Sequence, residues 1–242
     1  MTTSAAPTSA SIPLHEEVPE FTALGIRAFT TTRAAGSFGL SSTEPVRDVM
    51  QRWTALRRDL VAAGPRLATA HQVHGDRVIL HGTGWQGWLR ADDGDGHAAL
   101  ERGVGMAVSI ADCVPVFLAH PSGAIALLHS GWRGTAARII DRALDLLGSR
   151  GIPSPELLMH LGPAICGECY EVSPEVVERL TGRRVDVPTP VDLRAIIADQ
   201  ARVRGVRRIT TSPSCTRCNN DRFFSHRAGD TGRQLGVMIA AV

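Results

Sequence analysis

The chain has 242 residues, 43% of them apolar and 21% charged, with a formal net charge of +2. That is enough length to bury a core, as one large domain or two small ones. The balanced charge, without Lys/Arg runs interleaved with aromatics, argues against nucleic acid as a partner. No apolar run is long enough to span a membrane, and MTTSAAPTSASIP lacks the basic start and apolar centre of a signal peptide, so a cytoplasmic protein is expected.

Residues 1–20 read as a disordered or loosely attached tail, and 21–242 as a single domain. Phe21 to Thr32 alternates weakly and predicts a strand, followed by a loop through Arg33 and Ser37. Thr43 to Ala63 predicts an amphipathic helix, capped by Thr43, with Val46, Val49, Met50, Trp53, Leu56 and Leu60 as its apolar stripe. Leu67 to Leu80 predicts a strand pair or one bent strand around His71-Gln72-Val73-His74-Gly75-Asp76. His81 to Gly103, rich in Gly, Asp and Trp, predicts a surface loop. Two apolar runs then flank His120-Pro121-Ser122-Gly123, which predicts a β-hairpin. A helix is expected over Thr135–Leu147 with Ile139, Ile140, Ala143, Leu144 and Leu147 on one face. A strand follows at Leu157–Leu161, helices after Ser173 and from near Pro190 to about Arg202, and a strand at Val206–Ser212. The apolar Thr231 to Val242 is expected to close the chain as a helix. Alternating strands and helices with hairpin-like connections give an α+β class, mixed sheets packed between helices.

The hairpin carries the chemistry. Any reasonable register leaves Cys113 and His129 within about two positions of being opposite, close enough to share a ligand or a proton. A catalytic zinc needs three protein ligands and an open position, and His74 is the best third ligand. His71, three residues away, would face the other side of a strand. Two other readings use the same pair. Cys113 is a core thiol with His129 a satisfied strand-end histidine, or Cys113 is a nucleophile activated by His129 with Asp112 nearby. Arg133, between Gly131 and Gly134 at a helix start, makes an anion site for phosphate or carboxylate, and Arg33 and Arg227 carry weaker forms of that argument.

There are five cysteines, Cys113, Cys166, Cys169, Cys215 and Cys218. An odd count without a signal peptide argues against a disulfide framework. The C-x-x-C pairs at 166/169 and 215/218 have the spacing of a four-cysteine zinc site, with buried thiols packed among apolar neighbours as the default expectation.

Together, ADCVPV, HSGWRG, GPAICGECYEV and CTRCNNDRFFSHRAGDTGR, with TTRAAGS and HQVHGDRV in the same order, resemble the signatures of the YfiH/YlmD family. Its members have been called multicopper polyphenol oxidases, laccase-domain proteins, purine nucleoside phosphorylases and peptidoglycan editing factors. The resemblance spans Phe21 to Val242 and implies one α+β domain. It implies a metal on His74, Cys113 and His129, with Zn2+ expected and Cu2+ as the alternative. It also implies phosphorolysis of adenosine, inosine or methylthioadenosine and deamination of adenosine, so purine nucleoside and phosphate are the expected partners of a monomeric chain. Arg33, Arg133 and Arg227 would then hold phosphate. A copper polyphenol oxidase and a cysteine hydrolase of peptidoglycan precursors are the rival activities. The chain departs from the family in the shorter GSFGLSSTEPV loop, in His226 where Tyr is usual, and in Cys166 and Glu168.

Overall fold

A computed structural model describes residues 14–40 and 43–242. Its strands are β1 (His15–Glu17), β2 (Ile26–Thr31), β3 (Arg66–Ala70), β4 (Val78–His81), β5 (Gly87–Ala91), β6 (Gly96–Ala99), β7 (Val104–Ile110), β8 (Val114–Ala119), β9 (Ile125–Ser130), β10 (Leu158–Leu161), β11 (Glu171–Val172), β12 (Thr189–Pro190), β13 (Arg208–Thr211) and β14 (Gln234–Ala240). The α-helices are α1 (Val46–Leu60), α2 (Trp132–Ala136), α3 (Ile139–Gly148), α4 (Pro174–Thr181) and α5 (Leu193–Val203).

Two six-stranded mixed sheets form the centre, ordered β1-β2-β14-β7-β3-β5 and β13-β10-β8-β9-β6-β4. Ile26, Met106, Phe117, Ile125, Leu127 and Met238, drawn from both sheets, interlock between them. On the outer face of the first sheet, Val49, Trp53, Leu56 and Leu60 of α1 pack against Phe29, Val237 and Ile239. On the outer face of the second, Ile140, Leu144 and Leu147 of α3 join Val177 of α4, Ile197 of α5, Val116 and Leu128. This is the expected α+β arrangement of mixed sheets between helices. Such layering buries the inner strands on both faces, so they lack the polar alternation of a half-exposed sheet.

That lack of alternation misleads at the C-terminus. The apolar run expected to be a helix is strand β14, all seven residues buried, paired on one side with β2 and on the other with β7. The supposed loop 81–103 contains β5 and β6, and Gly96 to Ala99 is entirely buried. The 67–80 segment is two strands in different sheets, because β3 belongs to the first and β4 to the second. Phe21 lies in a 3₁₀ turn, Pro19–Leu24, and the strand begins only at Ile26. Of the expected tail, residues 1–13 lie outside the described residues. His15–Glu17 is paired with β2, and Glu16 receives hydrogen bonds from Ser212, Ser214 and Arg222.

The helices need smaller corrections. Pro45 rather than Thr43 stands at the N-terminus of α1, and Val46 and Met50 of the proposed stripe are exposed. The Thr135–Leu147 helix is two helices, broken at Arg138, which adopts φ 60°. Its five-residue apolar face is buried as expected.

Candidate functional site

The site follows from the topology. β5, β3 and β7 are parallel neighbours, so their C-terminal ends emerge along one edge of the first sheet. From that edge, three crossovers pass into the second sheet: 71–77 into β4, 92–95 into β6 and 111–113 into β8. They carry His74, Asp95 and Cys113. β9 runs antiparallel to β6 and β8 and ends at the same place, delivering His129. Pro115 pairs with His129, so Cys113, two residues earlier, falls on the same face of the hairpin by the two-residue period of a strand. Three crossover residues have positive φ, His74 at 61°, Asp93 at 22° and Asp112 at 81°. For non-glycine residues that costs of order 1–3 kcal/mol, which the surrounding contacts must offset.

One ligand atom from each of His74, Cys113 and His129 lies within 4.8 Å of the others. The two imidazoles meet edge to face with centroids 4.8 Å apart. His129 is buried, Cys113 half-buried and His74 exposed, so the cluster opens to solvent on the His74 side. His71 stays out of it, hydrogen-bonded at the surface to Asp93.

Asp95 organises the cluster and was missed in the sequence, hidden in a stretch read as surface loop. Its side chain is fully buried. Oδ1 accepts from the His74 backbone N–H at 3.0 Å and from the His129 ring at 2.7 Å. Oδ2 accepts from Val73 and Gly75 at 3.1 and 2.8 Å. With the Nδ1 proton of His129 directed at a carboxylate, its Nε2 is left for Cys113 or a cation. Asp112, the acid expected near the pair, does other work. Its carboxylate accepts from Thr216 Oγ1 and the Arg227 backbone N–H, tying two neighbouring loops to the Cys113 crossover.

Burial pushes the Cys113 thiol up, but the charge and hydrogen bonds of His129, with those of His74, outweigh it and hold it at about 6. Burial pushes His129 down, yet the Cys113 thiolate and Asp95 raise it to about 9. For Asp95, burial is outweighed by the hydrogen bond and charge of His129 and by the Gly75 and Val73 amides, so its carboxyl is held low. These shifts favour a Cys113 thiolate beside a protonated His129, whose proton a bound metal ion would displace. Gly131 makes room for it: a Cβ there would stand 2.8 Å from Cys113 Sγ and 3.3 Å from His74 Cδ2. Soft sulfur with two imidazoles, one braced by a carboxylate and one side open, suits zinc, and copper also accepts such ligands.

The cluster forms the floor of a cavity of about 410 Å³, whose walls include Gln72, Ser109, His226 and Arg233. Gln72 is fixed by a pair of bonds to the Ser109 backbone. Arg33, Arg133 and Arg227 are not among the lining residues. The Arg33 guanidinium is bonded to Asn220 O, Phe223 O and Asp230. Arg227 donates to Glu171 O and lies over the Tyr170 ring. Arg133 is exposed and stacks over Trp132. The cavity's own arginine, Arg233, went unremarked, although it ends the AGDTGR stretch.

A family model described as multi-copper polyphenol oxidoreductase laccase matches residues 28–241. A purine nucleoside phosphorylase of Mycobacterium tuberculosis is 38% identical over 227 residues, covering 86% of this chain and 89% of that one. Purine nucleoside phosphorylase YlmD of Geobacillus stearothermophilus is 33% identical over 228 residues, 85% of this chain and 83% of that one. The crystal structure of YlmD from the same organism superposes with a TM-score of 0.83 at 30% identity, covering 93% and 94% of the two chains. The Bacillus licheniformis hypothetical protein YfiH shares the fold at a TM-score of 0.83 and 23% identity, over 94% and 96%. With both the fold and nearly the whole sequence matched, the chain belongs to the laccase-like YfiH family of multi-copper polyphenol oxidoreductase laccase proteins.

Proposed function

We propose that the chain is a zinc-dependent enzyme of purine nucleosides, splitting adenosine, inosine or methylthioadenosine with phosphate and deaminating adenosine. The observation that carries this reading is the convergence of His74, Cys113 and His129 on the floor of a nucleoside-sized cavity. The substrate class rests on the relatives named purine nucleoside phosphorylase. A zinc ion in this donor set supplies Lewis acidity and brings the pKa of a water toward neutrality. The protein's own part is to orient the ligands through Asp95, to hold the His129 proton on Nδ1, and to position the base against Gln72, Ser109 and His226. None of Arg33, Arg133 and Arg227 lines the cavity, so we assign phosphate to Arg233, the guanidinium that does. Arg33 and Arg227 brace the segment around His226 through the contacts described above.

The test follows purified, metal-replete protein with adenosine, with and without phosphate, by chromatography. Adenine and ribose-1-phosphate should form only with phosphate, whereas inosine and ammonia should form without it. Cys113→Ala should abolish both reactions. Absence of turnover, or full activity in that variant, sinks the assignment.

A second reading has its own observation. His129 stands between the Cys113 thiolate and the Asp95 carboxylate, the order of groups in a cysteine hydrolase. Alkylation of Cys113 by iodoacetamide separates the two. Protection by zinc marks a ligand, and equal labelling with and without zinc marks a free nucleophile. Copper-dependent phenol oxidation, suggested by the family description, would show as oxygen uptake lost on copper removal.

A further inference from the structure

We propose that Cys166, Cys169, Cys215 and Cys218 form a second metal site, a closed tetrahedral zinc centre separate from the cavity. The sequence offered buried thiols as the default for these residues, and the structure does not support it. Only Cys215 is buried, while Cys166 and Cys169 are half-buried and Cys218 is exposed. Free cysteines are normally core residues, so three of four at a surface require another explanation.

The placement comes from the sheet. β10 and β13 are parallel neighbours, in register from Leu158 opposite Arg208 to Leu161 opposite Thr211. Their C-terminal extensions leave side by side, and the parallel contact continues at Ala164 and Cys215. Each extension carries one C-x-x-C, so the two pairs face each other. All four sulfurs lie within 4.8 Å of one another, and Cys169 and Cys218 approach to 3.4 Å. A tetrahedron of Zn–S bonds of about 2.3 Å has S···S edges of about 3.8 Å, inside that range.

Two backbone amides add a second indication. Cys166 N–H and Cys218 N–H both point at Cys215 Sγ, at 3.3 and 3.4 Å. Amides directed at sulfur favour the thiolate, and such outer contacts commonly brace metal-bound cysteines. Binding would release up to four thiol protons to solvent and leave a centre of net charge −2. With no histidine, carboxylate or open position, it would hold the fold rather than react.

What it would hold is the wall of the cavity. Ile165 N–H donates to Asp112 O, and Thr216 Oγ1 donates to the Asp112 carboxylate, one residue before Cys113. Clasping 166–169 to 215–218 fixes both donors.

The test strips the whole protein with chelator under reductant, titrates it with zinc alone and counts tightly held equivalents by elemental analysis after desalting. Wild type should hold two, Cys169→Ser/Cys218→Ser one, and His74→Ala/Cys113→Ala one. The second variant leaves the four cysteines intact, so X-ray absorption on it reads the new site even if the cysteine variant misfolds. A sulfur-only shell near 2.3 Å is expected. A single equivalent in wild type that the Cys169→Ser/Cys218→Ser variant retains overturns the proposal. A nitrogen- or oxygen-containing shell, iron in place of zinc in the isolated protein, or a mass two hydrogens lower per disulfide would each overturn it as well.

Discussion

Asp95 shows how much of the site hangs on one residue. Both of its oxygens face donors, with the His74 amide and His129 ring on Oδ1 and the Val73 and Gly75 amides on Oδ2. An asparagine has one acceptor and one donor end. Whichever way Asp95→Asn is turned, its NH2 meets N–H groups that need an acceptor. The variant should therefore fold but lose about 10- to 100-fold in zinc affinity, the usual cost of removing a ligand's supporting partner. Competition with a chromogenic chelator measures it, and wild-type affinity would show that Asp95 does not orient the ligands. The clustering of His74, Cys113 and His129 was legible in the sequence because Cys and His are rare and chemically distinctive. Asp95 was not, because an aspartate among glycines looks like a solvated turn until its burial is known. The arginines were legible as charges only. Which of them face the cavity depends on loop contacts such as Arg33 with Asp230 that span the chain.

At the scale of elements, the hairpin, the face of α3 and four of the six stripe positions of α1 were readable because local periodicity decides them. The last strand was not, since a central strand buried on both sides and a buried helix share the same apolar run. Nor could local pattern show that β3 and β4 lie in different sheets, which is what turns the HQVHG segment into a crossover. The junction of β9 and α2 offers a test at this scale. Gly131 there has φ −83°, which alanine adopts without strain. Space is what forbids a side chain, because its Cβ would press on Cys113 Sγ and His74. Gly131→Ala should leave the melting temperature of metal-free protein within a few degrees of wild type, while zinc binding falls at least tenfold. Calorimetric titration beside a thermal melt checks both. Loss of stability without loss of metal would show that the glycine serves the helix start instead.

For the molecule as a whole, the interlocked sheets enclose histidines that cannot readily take a proton, and this sets its response to acid. Burial lowers His81 and His160, and burial with the charge of His81 lowers His97 to about 3. His97 is fully buried, shares one hydrogen bond with His81 at 2.9 Å, and has no partner on Nε2 among the described residues. In the unfolded chain each histidine binds a proton near pH 6.5, whereas the folded chain resists doing so. The unfolded state therefore gains protons first, and stability falls as pH drops from about 6.5 toward 3. The ceiling is about 1.4 kcal/mol per pH unit for each histidine that stays neutral when folded. His129, raised to about 9, works the other way: its contribution grows as pH falls from about 9 to about 6.5 and adds no slope once both states are protonated. Asp95, held low, steepens the loss only below about pH 4. Urea midpoints measured on metal-free protein at pH 7, 6 and 5 should fall steadily. His97→Leu, which removes a buried group that must stay neutral, should flatten that decline even if it shifts the pH 7 value. An unchanged slope in His97→Leu would mean that the acid sensitivity arises elsewhere than between the sheets.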